Sequence, residues 1–186
     1  MTDHFARLRI APAPWLDTEV LKENFLALSA DLHPDKAPGA KEKAEIAFRA
    51  LNESYQVLRS SRSRILHLLE LQRVTGPAHV QALPPVALDL FSSIADLTRR
   101  SDTLLKEKAA AQSPMLKVQF FEKALPCVDS IQAVQSEIRR RLQTMEAGLK
   151  SLGADQIQEL QEAATALGFL EKWQAQLQER IVMLSF

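Results

Sequence analysis

The chain has 186 residues, enough for one domain or two small ones with buried cores. Apolar residues make up 46% and charged residues 25%, and 23 Lys and Arg balance 23 Asp and Glu. That balance, with no Lys/Arg-rich patch and no apolar run of membrane-spanning length, argues against a nucleic-acid or membrane partner.

The opening, MTDHFARLRIAPAPW, carries an acidic residue and lacks an apolar h-region, so no secretory signal is expected. Residues 4–9 suit one short helical turn, ended by APAP. Asp17 or Thr18 then makes an N-cap. Leu21, Phe25, Leu28 and Leu32 recur at i, i+4, i+7 and i+11, an apolar stripe on a helix that Pro34 terminates. A second helix is predicted over 41–58, with Ile46, Ala50, Leu51, Tyr55 and Leu58 inward. Similar length and a short connection make the two an antiparallel hairpin. A shorter helix over 62–72 carries Ile65, Leu66, Leu68, Leu69 and Leu71.

RVTGPAHVQALPP, residues 73–85, holds Gly-Pro and Pro-Pro and marks a linker. Beyond it a helix over 86–111 shows Ala87, Leu90, Ile94, Leu97, Ser101 and Leu104 on one face. Ser113-Pro114 restarts the chain as cap and first helical residue. The next helix reaches about 152 with Ile131, Val134, Ile138, Leu142, Met145 and Leu149 inward, and Pro126 should kink or break it. Gly153 ends it and Asp155 caps the last helix, whose stripe runs through Ile157, Leu160, Ala164, Leu167, Leu170, Trp173, Leu177, Ile181 and Leu184. The fold class is all-α: an N-terminal helical hairpin with flanking helices, then an antiparallel three-helix bundle.

Chemistry-bearing residues are sparse. The single Cys127 excludes an internal disulfide and a Cys-rich zinc site, and reads as a small apolar core residue. The four histidines, His4, His33, His67 and His79, lack the i,i+4 spacing of a helical metal pair. No paired carboxylates, nucleophile–base set or phosphate-cradling glycine loop appears. No catalytic residue, metal or cofactor is therefore expected, and the chain does not read as an enzyme.

His33-Pro34-Asp35-Lys36 lies in the turn of the hairpin. By itself it is a helix stop with a solvated charge. Followed by ALNESYQVLRSSRSR, residues 50–64, it resembles the J-domain of the DnaJ co-chaperone class. HFARLRIAPAPWLDTEVLKENF, the RILHLLEL helix and LGFLEKWQAQLQERIVMLSF extend the likeness along the chain. Together they resemble the HscB-type J-domain co-chaperones of iron–sulfur cluster assembly. The likeness is strong over 29–72, fair over 160–186 and weak over 75–150.

The resemblance implies a J-domain over 1–74, a linker over 75–85 and a client-binding domain over 86–186. It implies that His33, Pro34, Asp35 and Lys36 engage a heat-shock ATPase of the HscA/DnaK type and stimulate it. A carboxylate on a proline-fixed turn suits a bidentate arginine bond at low entropic cost. It further implies that Leu90, Phe91, Ile94 and Phe169 hold an IscU-like iron–sulfur scaffold protein. Phe91 and Phe169 lie off their core stripes, which suits a contact surface. The expected location is the cytoplasm, or the mitochondrial matrix in a eukaryote.

Two departures bear on partners. J-domains offer a basic helix before the turn, whereas residues 18–32 carry Lys22 against Glu19, Glu23 and Asp31. Lys36, Lys41, Lys43, Arg59, Arg62 and Arg64 are left to compensate. On the client face Ala95 and Thr98 replace glutamates, Asp102 alone keeps a charge, and Arg99 and Arg100 lie close by. Two other readings stay open: a J-like interaction protein with weak or no ATPase stimulation, and a J-domain co-chaperone with a different client.

Overall fold

A computed structural model describes residues 2–32, 41–74 and 84–185. Every regular element among them is helical: α1 (His4–Arg7), α2 (Thr18–Asp31), α3 (Lys41–Arg59), α4 (Ser61–Leu71), α5 (Pro85–Ala110), α6 (Pro114–Gly148) and α7 (Ile157–Ser185), with a 3₁₀ turn at Leu149–Ser151. The chain divides into two units that do not follow sequence order. One is Met1–His79 with Glu146–Thr165; the other is Val80–Met145 with Ala166–Phe186.

In the first unit, side-chain caps set where helices begin. Asp3 accepts the Ala6 N–H at 3.0 Å, Asp17 the Glu19 N–H at 2.9 Å, and Ser60 the Ser63 N–H at 3.3 Å. α1 and α4 end in the same device. Arg9 (φ 55°) and Arg73 (φ 59°) take the left-handed conformation that usually falls to glycine. After α4 the Arg73 N–H bonds Glu70 O at 2.9 Å and the Val74 N–H bonds Leu69 O at 3.0 Å.

Phe5, Leu8, Leu21, Leu51, Leu58, Ile65 and Leu68 are buried in this unit, as are Leu149, Leu160 and Ala164. Each such large side chain contributes about 1.5–3 kcal/mol on leaving water. Phe25 stacks on Tyr55 with ring centres 4.4 Å apart, which fixes the register of α2 against α3. Ile46, which borders an open groove with Leu28 and Leu32, is 60% exposed rather than inward.

Arg64 is also buried. Its guanidinium donates to Pro14 O at 2.7 Å, to Leu58 O at 2.8 Å and to Glu146 Oε1 at 2.9 Å, while Ser61 Oγ donates to Glu146 Oε2. It is therefore no surface charge that could offset the acidic α2. Around it Lys150 lies over the Trp15 ring at 4.4 Å and Gln72 Nε2 donates to Ala154 O at 2.6 Å.

In the second unit the ion pairs give the helix directions. Lys123–Glu107 at 2.9 Å and Arg141–Asp89 at 2.6 Å place the start of α6 beside the end of α5, and the reverse. These two helices are antiparallel. Gln135 Nε2 donates to Gln178 Oε1 at 3.2 Å, and Leu184 lines a groove with Phe121 and Leu125, so α7 opposes α6. Arg180–Asp102 and Lys108 Nζ to Met183 O (2.6 Å) show α7 parallel to α5. The core of this up-down-up bundle is Ala87, Leu90, Ile94, Leu97, Phe120, Ala124, Cys127, Ile131, Ile138, Leu170, Trp173, Leu177 and Leu184.

Three details of the stripes are corrected. Pro126 does not break α6: it lies on the exposed side, where water can reach the Glu122 carbonyl it leaves without a helical donor. Ala124, Cys127 and Ile131 are buried to either side and hold the helix through it. Asp155 does not cap α7. Gln156 accepts the first helical bond from Leu160 N–H at 3.0 Å, and its side chain reaches back to the Gly153 N–H at 2.8 Å. Ile157, the first helical residue, is exposed; burial starts at Leu160. Cys127 is buried, and desolvation pushes its thiol pKa up, as suits a core residue.

Candidate functional site

The turn that holds His33, Pro34, Asp35 and Lys36 lies outside the described residues. Its supports are described. α2 ends at Asp31, with the Leu32 N–H bonding Leu28 O at 3.1 Å, and α3 resumes at Lys41. The Phe25–Tyr55 stack and the buried Leu21, Leu51 and Leu58 fix both helices that enter and leave the turn.

α3 is held from its other side by α1. Arg7 Nη1 donates to Ala50 O at 3.2 Å and to Ser54 Oγ at 3.0 Å, and Ser54 Oγ meets His4 Nδ1 at 2.9 Å. Between α2 and α3, toward the turn, lies a mainly apolar groove of about 470 Å³, bordered by Leu28, Leu32, Ile46 and Ala47. The outer face of α2 is acidic: Lys22 sits 3.8 Å from Glu19 with both side chains exposed, and Glu23 and Asp31 are exposed without a second base on the helix. Lys43, Arg59 and Arg62 are exposed.

The four residues assigned to client contact fall into two classes. Leu90 and Ile94 are core residues of the bundle, and Phe169 packs partly buried against that core, its ring centre 6.0 Å from Trp173. Phe91 is 52% exposed on α5, one turn from exposed Leu88. The helical stripe explains the split: Ala87, Leu90, Ile94 and Leu97 point inward, and Phe91 sits one step round from Leu90.

A feature with no signal in local sequence anchors the start of α5. Arg141 of α6 makes two bonds of 2.6 Å to the Asp89 carboxylate, a third to the Val86 carbonyl, and a fourth to Glu137 Oε1 at 2.6 Å. Bonding from Arg141 holds the Asp89 pKa down at about 2. Bonding from Arg140, then Arg141, holds Glu137 at about 2, and Arg141 is shifted up in turn. Further along, Asp96 lies 3.7 Å from Arg99 and 3.9 Å from Arg100, and Asp102 pairs with Arg180. The charge at Asp102 is thus matched within the bundle.

Among the described residues no group of three His, Cys, Asp or Glu side chains is placed to hold a metal, and no helix is long and apolar enough to cross a membrane. His4 and His67, distant in sequence, meet with ring centres 4.4 Å apart, a pairing that no local spacing signals.

The DnaJ-domain family model matches residues 3–66, the segment that frames the turn. A co-chaperone protein HscB homolog from Neisseria meningitidis is 31% identical over 90 residues, 45% of this chain and 54% of that protein. The Acinetobacter baumannii HscB homolog is 35% identical over 71 residues, 38% of this chain and 41% of the relative. In such alignments the chain spans about half the length of the curated relatives or less. The Neisseria gonorrhoeae HscB homolog aligns further, at 24% identity over 162 residues and 84% of each chain. In fold, the crystal structure of human co-chaperone protein HscB matches with a TM-score of 0.65 at 16% identity, over 96% of this chain and 82% of that one.

Proposed function

We propose, from the DnaJ-domain match over residues 3–66 and the likeness to HscB homologs, that the chain is an HscB-type J-domain co-chaperone of a 70-kDa heat-shock ATPase. The partner is of the HscA/DnaK type, and His33, Pro34, Asp35 and Lys36 engage it and stimulate ATP hydrolysis. The observation that carries this reading is the DnaJ-domain match across a helical hairpin whose turn holds His-Pro-Asp. The chain does no chemistry itself; it biases its partner toward the closed, substrate-holding state. A turn fixed by proline docks with little loss of entropy, and Asp35 offers a carboxylate for a bidentate arginine. The acidic α2 weakens electrostatic steering, so the pairing is slow to form and of low affinity.

In this reading the helical bundle presents an iron–sulfur scaffold protein of the IscU type, with Phe91 as the exposed anchor and Leu90, Ile94 and Phe169 shaping the surface beneath it. One observation favours a client of different charge: Asp102 is matched by Arg180, and Arg99 and Arg100 flank Asp96. The proposed compartment is the cytoplasm, or the mitochondrial matrix in a eukaryote. Steady-state ATPase measurements with the chaperone of the same cell test the central claim. Stimulation by the wild type and its loss in His33→Gln are expected; equal stimulation by both overturns it. Calorimetry with the scaffold protein separates the clients, since no binding heat at high concentration selects the alternative.

A further inference from the structure

The outward face of α6 carries an apolar seam that the bundle core leaves largely uncovered. Val118 (58% exposed), Phe121 (50%) and Leu125 (63%) continue to Val128, which is half-buried and packs in part against the bundle core. Their spacing of three, four and three residues is the a–d–a–d pattern of a two-stranded coiled coil. The residues that α6 sends to the core, Phe120, Ala124, Cys127 and Ile131, face roughly a third of a turn away. α6 therefore has two apolar faces, and the bundle covers mainly one.

Charges beside the seam distinguish possible partners. In this heptad frame Lys117 takes a g position, while Glu122 and Asp129 take e positions, so the basic and acidic groups flank opposite sides. Lys123 takes the f position, away from the seam, and is already bonded to Glu107 at 2.9 Å. In a parallel two-stranded pairing, g meets e five residues on in the other strand. Lys117 then meets Glu122 of the partner subunit, and the two-fold axis repeats the pair. An antiparallel pairing sets like flanks together, which brings Glu122 beside Glu122 of the partner subunit and leaves Lys117 unmatched. The seam is thus complementary to itself in one direction only.

We propose that α6 is a self-association surface, on which two copies of this chain pair in parallel through Val118, Phe121, Leu125 and Val128. The last turn of α7, at Leu184 and Ser185, walls the groove of about 410 Å³ that borders the seam. This surface involves neither the hairpin turn nor Phe91, so the proposal stands apart from the chaperone reading. Two heptads make a short contact, and the association is weak and reversible.

Sedimentation of the full chain from about 1 μM to about 1 mM tests it. The mass should rise with concentration toward the dimer. Lys117→Glu should raise the dissociation constant by about tenfold, since two attractive pairs become repulsive. Lys117→Glu combined with Glu122→Lys should restore it. Direction is read by cross-linking: Val118→Cys and Leu125→Cys should each give a disulfide-linked dimer under mild oxidation by diamide. The wild type should not, because Cys127 is buried. A wild type that stays monomeric to the top concentration overturns the proposal. So does a double variant no better than Lys117→Glu, or the absence of cross-linking in both cysteine variants with far-UV helicity unchanged.

Discussion

Arg64 and Glu146, 82 residues apart in the chain, meet at 2.9 Å, with the arginine side chain buried and the carboxylate partly open to water. The pair joins α4 to the end of α6 inside the unit that contains the hairpin. Burying a guanidinium is tolerable here because Pro14 O, Leu58 O and Glu146 all accept from it.

Glu146→Leu removes the carboxylate and leaves the buried cation matched only by carbonyls, so the loss should reach about 3 kcal/mol. Arg64→Met in the same chain removes the orphaned charge and should recover part of it. Urea unfolding midpoints of the two variants check the order. A double variant less stable than Glu146→Leu would show that the carbonyl bonds of Arg64, not its charge balance, dominate.

α1 should come loose in acid. His67 Nε2 accepts the His4 backbone N–H at 3.1 Å, an arrangement that requires that nitrogen to be unprotonated. The His4 pKa is lowered from 6.5, first by burial, then by His67, with Arg7 adding to the effect and Glu53 and Glu70 opposing it. A lowered histidine pKa means that the unfolded chain binds protons first. Stability is therefore full above pH 6.5 and falls as the pH drops from there toward the folded value. Thermal midpoints measured across that window should decline in the wild type and decline less in His4→Ala.

The helices were legible because their stripes, caps and stops are local. Asp17 and Ser113 each accept a backbone N–H at the helix start, as their positions imply, with Ser113 Oγ 3.2 Å from the Leu116 N. The buried members of the α5 stripe follow the periodicity from Ala87 to Ser101. Ile46 could not be placed the same way, since its exposure goes with the open groove it borders with Leu28 and Leu32. Arg64 reads as a surface charge because two of its three acceptors, Pro14 O and Glu146, come from distant segments. The His4–His67 contact and the bonds from Arg141 to Asp89 and Val86 are invisible for the same reason. At the proposed client surface, periodicity separated Phe91 from the core, whereas Leu90 and Ile94 belong to the core stripe and carry no local mark of surface contact. Pro126 illustrates the reverse failure: a strong local signal is outweighed by burial on both sides of it.

The Arg141 clamp should make the bundle acid-sensitive in a lower range. Asp89 and Glu137 have ordinary values of 3.8 and 4.5 and are held at about 2 in the fold. Their contribution is full above pH 4.5 and is lost as the pH falls through about 2. Arg141→Ala should be less stable than the wild type at neutral pH, and the two should converge as the acid limit is approached. Because Asp89 is exposed, added salt should narrow the gap at neutral pH. Denaturation curves at several pH values and two salt concentrations check both trends.

Client binding and bundle stability should separate at Phe91 and Leu90, adjacent residues with opposite exposure. Leu90 fills the core, so Leu90→Ala should lose about 2–5 kcal/mol of stability. Phe91 is half exposed, so Phe91→Ala should change stability by no more than about 0.5 kcal/mol. If Phe91 anchors a client, the same change should weaken that complex by about tenfold or more, as truncating a central aromatic does. Phe169→Ala should lower both quantities, because its ring packs against Trp173 and the core. Calorimetric titration of the client alongside thermal unfolding of each variant makes the comparison. Undiminished client affinity in Phe91→Ala would remove Phe91 from the contact surface and leave the exposed α5 face without its anchor.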